Sequence, residues 1–185
     1  MKIDNISTFS KVINITTWSK LNGVSGAAPI NWANIYTYTT NATATLITNW
    51  IGASISTSPN IPQIINGQNV VVNASTTFNG KTALTNCYIN NNVQFISNSM
   101  VNAFRSCSNL IGVDLIPNSV TNMYSTFYSC SNLVNAPTIP NSVTNMAYTF
   151  NGCSNLVNAP TIPSNVTDMY YTFSGCSNLV NAPAI

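Results

Sequence analysis

The chain has 185 residues, of which 45% are apolar and only 4% charged, and its formal net charge is +2 with no histidine. That balance excludes a disordered charged tail, which combines low hydrophobicity with high charge. The basic residues Lys2, Lys11, Lys20, Lys81 and Arg105 are scattered and give no electrostatic footprint for nucleic acid.

The N-terminal Met1–Thr8 lacks the basic start and apolar run of a signal peptide. No stretch approaches the ~20 apolar residues that cross a bilayer. Membrane insertion is therefore not expected, and the chain is expected to be made in a cytoplasm and either to stay there or to leave by assembly or lysis.

Residues 1–66 hold all three tryptophans, Trp18, Trp32 and Trp50, and read as a small β-rich module for attachment or oligomerisation. Ile35–Thr48 alternates β-formers with small residues and predicts two strands turning near Asn41. Gly23–Pro29 reads as a loop, and Ser54–Pro62 as a linker.

From about residue 67 to Ile185 the chain repeats. Cys-Ser-Asn-Leu begins at Cys107, Cys130, Cys153 and Cys176, at a fixed interval of 23 residues. Met100, Met123, Met146 and Met169 keep the same period, as do Phe104, Phe127, Phe150 and Phe173; Phe78 reads as the head of a degenerate first unit. Constant phase at such a period predicts stacked units that bury their apolar faces against one another, with these residues as the internal ladder.

Within a unit, Val120, Met123, Phe127 and Cys130 fall at i, i+3, i+7 and i+10, which predicts a helix of about three turns capped by Asn118 or Ser119. Val143–Cys153 and Val166–Cys176 repeat the pattern. After each cysteine a Ser-Asn turn leads to an extended run, Leu110–Ile116 or Leu133–Ile139. Pro137 and Pro160 cannot donate to a ladder, so these strands must be short, bulged or weakly paired. The expected fold class is an α+β solenoid of four to five coils over residues 67–185, each with one short parallel strand and one short helix. The end at Ile185 falls inside a repeat, and association is expected there through an open edge.

The unit Ile-Pro-Asn-Ser-Val-Thr-Asn-Met-x-x-Thr-Phe-x-x-Cys-Ser-Asn-Leu resembles the BspA-type class of leucine-rich repeats over residues 70–185. The resemblance implies binding to proteins, glycans or host surfaces, with no catalytic residues to carry over. Leu-Val-Asn-Ala-Pro-Thr-Ile-Pro is similar to arrays in surface proteins of gut bacteria and in structural proteins of their phages. Ser19–Val24 is similar to short segments of phage appendage proteins. With the low charge and the missing export signal, the expectation is a virion structural protein: a head fibre, decoration or tail-associated appendage. Its expected partners are capsid, neck or tail proteins, further copies of itself, and a host-surface glycan or protein. The alternatives are a BspA-type cell-surface adhesin and an intracellular interaction scaffold.

Catalysis is not expected. A nucleophile needs an adjacent base, and glycoside hydrolysis needs two nearby carboxyls. The chain offers only Asp4, Asp114 and Asp168, dispersed. No cofactor motif and no metal-ligand spacing is present, and the in-phase cysteines read as reduced, buried thiols.

Two readings of the polar residues stand side by side. Asn109, Asn132, Asn155 and Asn178, and likewise Asn135, Asn158 and Asn181, can satisfy turn backbone and one another. Alternatively Asn135, Thr138, Asn158, Thr161 and Asn181, beside Tyr124, Tyr148 and Tyr171, form a neutral surface for a glycan or protein, because rings stack while amides read hydroxyls.

Overall fold

The computed structural model describes residues 36–40, 42–51, 58–65, 68–181 and 183. Trp18 and Trp32 lie outside them. The alternating run upstream forms β1 (Tyr36–Thr40) and β2 (Ala44–Trp50), paired antiparallel. Alternation sends Tyr36, Tyr38, Ile47 and Trp50 into the core. Further strands are β3 (Asn60–Ile61), β4 (Ile64–Ile65), β5 (Gln68–Val72), β6 (Asn86–Ile89), β7 (Gln94–Phe95) and β8 (Gly112–Val113). β2 runs parallel to β5 and β5 parallel to β7, while β4 pairs antiparallel with β5. A second sheet stacks β3, β6 and β8 in parallel order. β3 lies within the segment whose composition reads as a linker.

Past β7 in one ladder and β8 in the other, the pairing thins to single bridged residues. One column runs Ser99, Asn122, Asn145, Asp168, and the other Asn135, Asn158, Asn181, all parallel. The extended run Leu133–Ile139 thus reduces to one bridge at Asn135, as its proline dictates: Pro137 has no N–H to continue the pairing.

The expected helices are absent. Val120–Cys130, Val143–Cys153 and Val166–Cys176 are successions of turns, and among the described residues the helical pieces are α1 (Ala74–Thr77) and a 3-10 turn at Ile96–Asn98. The reason lies in where the N–H groups go. Met123, Ser125, Phe127 and Ser129 donate to the carbonyls of Asn145, Ala147, Thr149 and Asn151 in the next coil. The intervening residues close turns on themselves, Thr126 N–H to Met123 and Cys130 N–H to Phe127. An α-helix would need every one of these donors for its own i−4 carbonyl. The ribbon instead requires a left-handed residue every four positions: Asn102 and Ser106, Ser125 and Ser129, Tyr148 and Gly152, Tyr171 and Gly175, with φ from 52° to 76°.

This ribbon still delivers apolar side chains to one side. Phe78, Phe104, Phe127, Phe150 and Phe173 form a stack with centroids 5.3–5.6 Å apart and planes within 20°. Trp50 and Tyr36 close its upstream end, 6.3 and 6.4 Å from Phe78. Met100, Met123 and Met146 are fully buried beside it, whereas Met169, Phe173 and Cys176 of the last described coil are half-buried.

The repeat thiols and the buried threonine hydroxyls inside this core are matched. Each of the four in-phase thiols donates to the preceding coil's phenylalanine carbonyl: Cys107 to Phe78 and Cys130 to Phe104 at 2.9 Å, Cys153 to Phe127 and Cys176 to Phe150 at 3.1 Å. All five cysteines are free. Burial pushes the Cys107 thiol up to about 12, and burial likewise raises Cys87, Cys130 and Cys153. The buried hydroxyls of Thr126, Thr149 and Thr172 donate to the carbonyls of Met100, Met123 and Met146 at 2.8–2.9 Å, which removes the cost of an unpaired buried donor.

Candidate interaction surface

The expected surface residues fall into two sets on different columns. Tyr124, Tyr148 and Tyr171 gather beside the Asn122–Asn145–Asp168 column. Tyr148 stands 5.7 Å from Tyr124 edge-on and 5.6 Å from Tyr171, nearly parallel at 9°. A fourth ring, Tyr170, lies 5.4 Å from Tyr148 and 4.4 Å from Tyr171. Sequence reasoning missed Tyr170, although the period leads to it from Tyr124 through Ala147.

Tyr170 and Tyr171 are more than half exposed and Tyr124 is 39% exposed. The Tyr148 hydroxyl is held above its ordinary value by partial loss of solvent among the rings and by the neighbouring phenols Tyr170 and Tyr124. No hydrophobic burial accounts for so many rings at the surface. Tyr148 and Tyr171 also sit at left-handed φ of 56° and 52°, where the same phase in earlier coils holds Asn102 and Ser125. A bulky side chain there costs about 1–2 kcal/mol, which asparagine and serine partly escape.

Asn135, Asn158 and Asn181 occupy the other column, and they are exposed along with Thr138 and Thr161. Asn181 Nδ2 donates to Asn158 Oδ1 at 3.2 Å, while the Asn135 amide makes no hydrogen bond within the described residues. Asn109, Asn132, Asn155 and Asn178 form a separate ladder of amide pairs at 3.2–3.4 Å. Between the two columns each coil passes through the buried core, at Phe127, Cys130 and Leu133 in one of them. Ring contacts join the tyrosines to one another and an amide contact joins Asn158 to Asn181. None among the described residues joins the two sets.

Trp50 is buried against Phe78, and its Nε1 has no hydrogen-bond partner. Among the described residues no group of three metal-ligating side chains occurs, and no helix is long and apolar enough to cross a membrane. Arg105 places its guanidinium 4.1 Å over the Tyr128 ring, a cation–π contact that occupies one of the few cations.

The BspA type leucine rich repeat region model matches residues 7–133 and 74–183, in six copies. The first of these matches reaches into residues 1–66. The structure is similar to a leucine rich repeat protein of T. pallidum, with 22% identity and a TM-score of 0.63 over 80% of this chain and 67% of that one. It is also similar to a leucine-rich repeat protein from Bacteroides ovatus, with 23% identity and a TM-score of 0.58 over 73% of this chain and 36% of that one. The chain thus spans two thirds of the first protein and about a third of the second, and at such identity the likeness speaks for fold. No curated protein matches the sequence. Proteins built from this repeat are typically non-enzymatic binding scaffolds. With the repeat model matched over most of its length, and units stacked at a 23-residue interval, the chain belongs to the BspA-type leucine-rich-repeat family.

Proposed function

We propose that this chain is a non-enzymatic binding protein that offers the cluster of Tyr124, Tyr148, Tyr170 and Tyr171 to a protein partner. The observation that carries the reading is the pair of bulky residues at left-handed positions, Tyr171 with its ring exposed and Tyr148 half-buried among the surface rings rather than in the core. Backbone strain that brings no core packing persists where function requires it. Tyrosine suits the role, because it supplies rigid, amphipathic contact area at low conformational-entropy cost.

The carrier we propose is a virion, with capsid, neck or tail proteins and further copies of the chain as neighbours; the sparsely charged, Asn/Thr-rich composition favours a stiff appendage. A cell-surface adhesin is the second reading, favoured by the likeness to the T. pallidum and Bacteroides ovatus proteins. Copurification with phage particles at integer stoichiometry supports the first, and fractionation with the cell envelope supports the second.

The test of the surface is the double variant Tyr148→Ser/Tyr171→Ser, which installs the residue that Ser125 already supplies at this phase. Labelled protein is titrated onto intact gut-bacterial cells and onto their purified phages. The expected result is at least about a tenfold loss of binding, or 1.4 kcal/mol, with a melting temperature equal to or above that of the parent. Unchanged binding, or a lowered melting temperature, would show that the rings serve the fold.

A further inference from the structure

The second column carries an interruption. From coil to coil it reads Asn86, Gly112, Asn135, Asn158, Asn181: Asn86 pairs with Gly112, and Val134 N–H donates to Ile111 at 3.3 Å to bring Asn135 next in line. Only the glycine lacks a side chain. Nothing in its backbone asks for glycine, since its φ is not left-handed and a Cβ there would meet only Asn86 Oδ1, at 3.8 Å.

What the missing side chain leaves is an open groove of about 350 Å³. That is within the range of roughly 300–1,000 Å³ typical of small-molecule clefts. Its walls carry Asn86, Tyr88, Asp114, Asn135 and Thr138. Asp114 is locked in place, its N–H donating to Cys87 at 3.3 Å and its Oδ1 accepting from Ile89 N–H at 2.8 Å. Pro137 stands one period after Asp114 and has no N–H to close the gap in the same way. The side-chain amides of Asn86 and Asn135, on either side of Gly112, make no hydrogen bond within the described residues.

We propose that this groove binds a neutral carbohydrate, one or two pyranose rings long. Two free amides offer donors and acceptors together, and the second oxygen of Asp114 accepts a charge-assisted bond from a sugar hydroxyl. The Tyr88 ring, nearly half exposed, offers an apolar surface for the C–H face of the ring. No cationic side chain lines the groove, so acidic sugars and phosphates find no counter-charge. The single carboxylate is exposed, so an ion pair with an amine gains little. This site is on a different column from the tyrosine cluster and does not depend on it.

The test is titration calorimetry of the full chain with maltose, cellobiose, lactose and mannobiose at millimolar concentrations, beside glucosamine and glucuronate. At least one neutral disaccharide is expected to bind, and Asp114→Asn, which keeps an acceptor for Ile89 N–H, is expected to weaken it at least about tenfold. Gly112→Asn is the sharper arm: it restores the side chain that the other coils carry, fills the groove floor, and is expected to abolish sugar binding without lowering the melting temperature. Tyr148→Ser/Tyr171→Ser is expected to leave sugar binding intact. The proposal is overturned if no neutral sugar binds, if binding survives Gly112→Asn, or if a charged sugar binds more tightly than every neutral one. Should Gly112→Asn fail to fold, sugar binding unchanged by Asp114→Asn overturns it as well.

Discussion

Raising the pH from about 8 to about 10 is expected to remove most of the protein's stability, in the presence of a reductant and without any change in covalent structure. Cys87, Cys107, Cys130 and Cys153 are fully buried, and burial raises each thiol, Cys107 to about 12. In the unfolded chain a thiol ionises near 8.5. Below that value both states hold the proton, and the contribution of the buried thiols is fully present. Above it the unfolded state loses protons while the folded state keeps them, so stability falls until the folded thiols ionise in turn. Each thiol then contributes about 1.4 kcal/mol of loss per pH unit, or about 2 kcal/mol by pH 10. Four of them together match the ~5–15 kcal/mol total of an ordinary domain. Urea midpoints followed by circular dichroism at several pH values read the effect directly, and Cys130→Ala should lessen the slope. A flat profile between pH 8 and 10 would mean that the thiol column is open to water.

The period made the columns legible, because each coil meets the same neighbour at the same phase. That is why Phe104, Phe127 and Phe150 stack as their spacing suggests, and why the proline at 137 could be read as the end of pairing. Helix and turn ribbon were not separable by apolar spacing, since both return a side chain to one side after three or four residues. The discriminating signal lay in the polar residues. Asn102, Ser106, Ser125, Ser129, Gly152 and Gly175 recur four apart where a helix would disfavour them, and the ribbon needs them for left-handed turns. Thr126, Thr149 and Thr172 were equally periodic and equally passed over; a buried hydroxyl is tolerable only where a carbonyl waits, and sequence does not show the carbonyl. Tyrosines and asparagines were legible as surface residues but not as two surfaces. Telling them apart requires knowing that Asn122 and Asn135 belong to separate bridge columns. Gly112 is visible only once its column is known to be asparagine elsewhere.

Phe127→Ala is expected to cost about 3–5 kcal/mol, the range for emptying a fully buried phenylalanine site. The ring lies between Phe104 and Phe150 at 5.5 Å on each side, with planes 3° and 7° away from parallel. The walls of the resulting hole cannot close. Phe127 N–H is held to Thr149, and the Phe104 and Phe127 carbonyls accept from the thiols of Cys130 and Cys153. A stack of this kind draws its stability from each coil and from its contacts with the next, so damage in the middle also uncouples the two ends. Thermal unfolding of the variant should broaden or split, with the coils after residue 127 melting first. Phe173→Ala makes the comparison quantitative. Phe173 is half-buried and, among the described residues, meets the ring column only at Phe150, 5.6 Å away, so its loss should cost no more than about half as much. Equal destabilisation by the two variants, or a single sharp transition in Phe127→Ala, would contradict a column whose strength depends on contact from both sides.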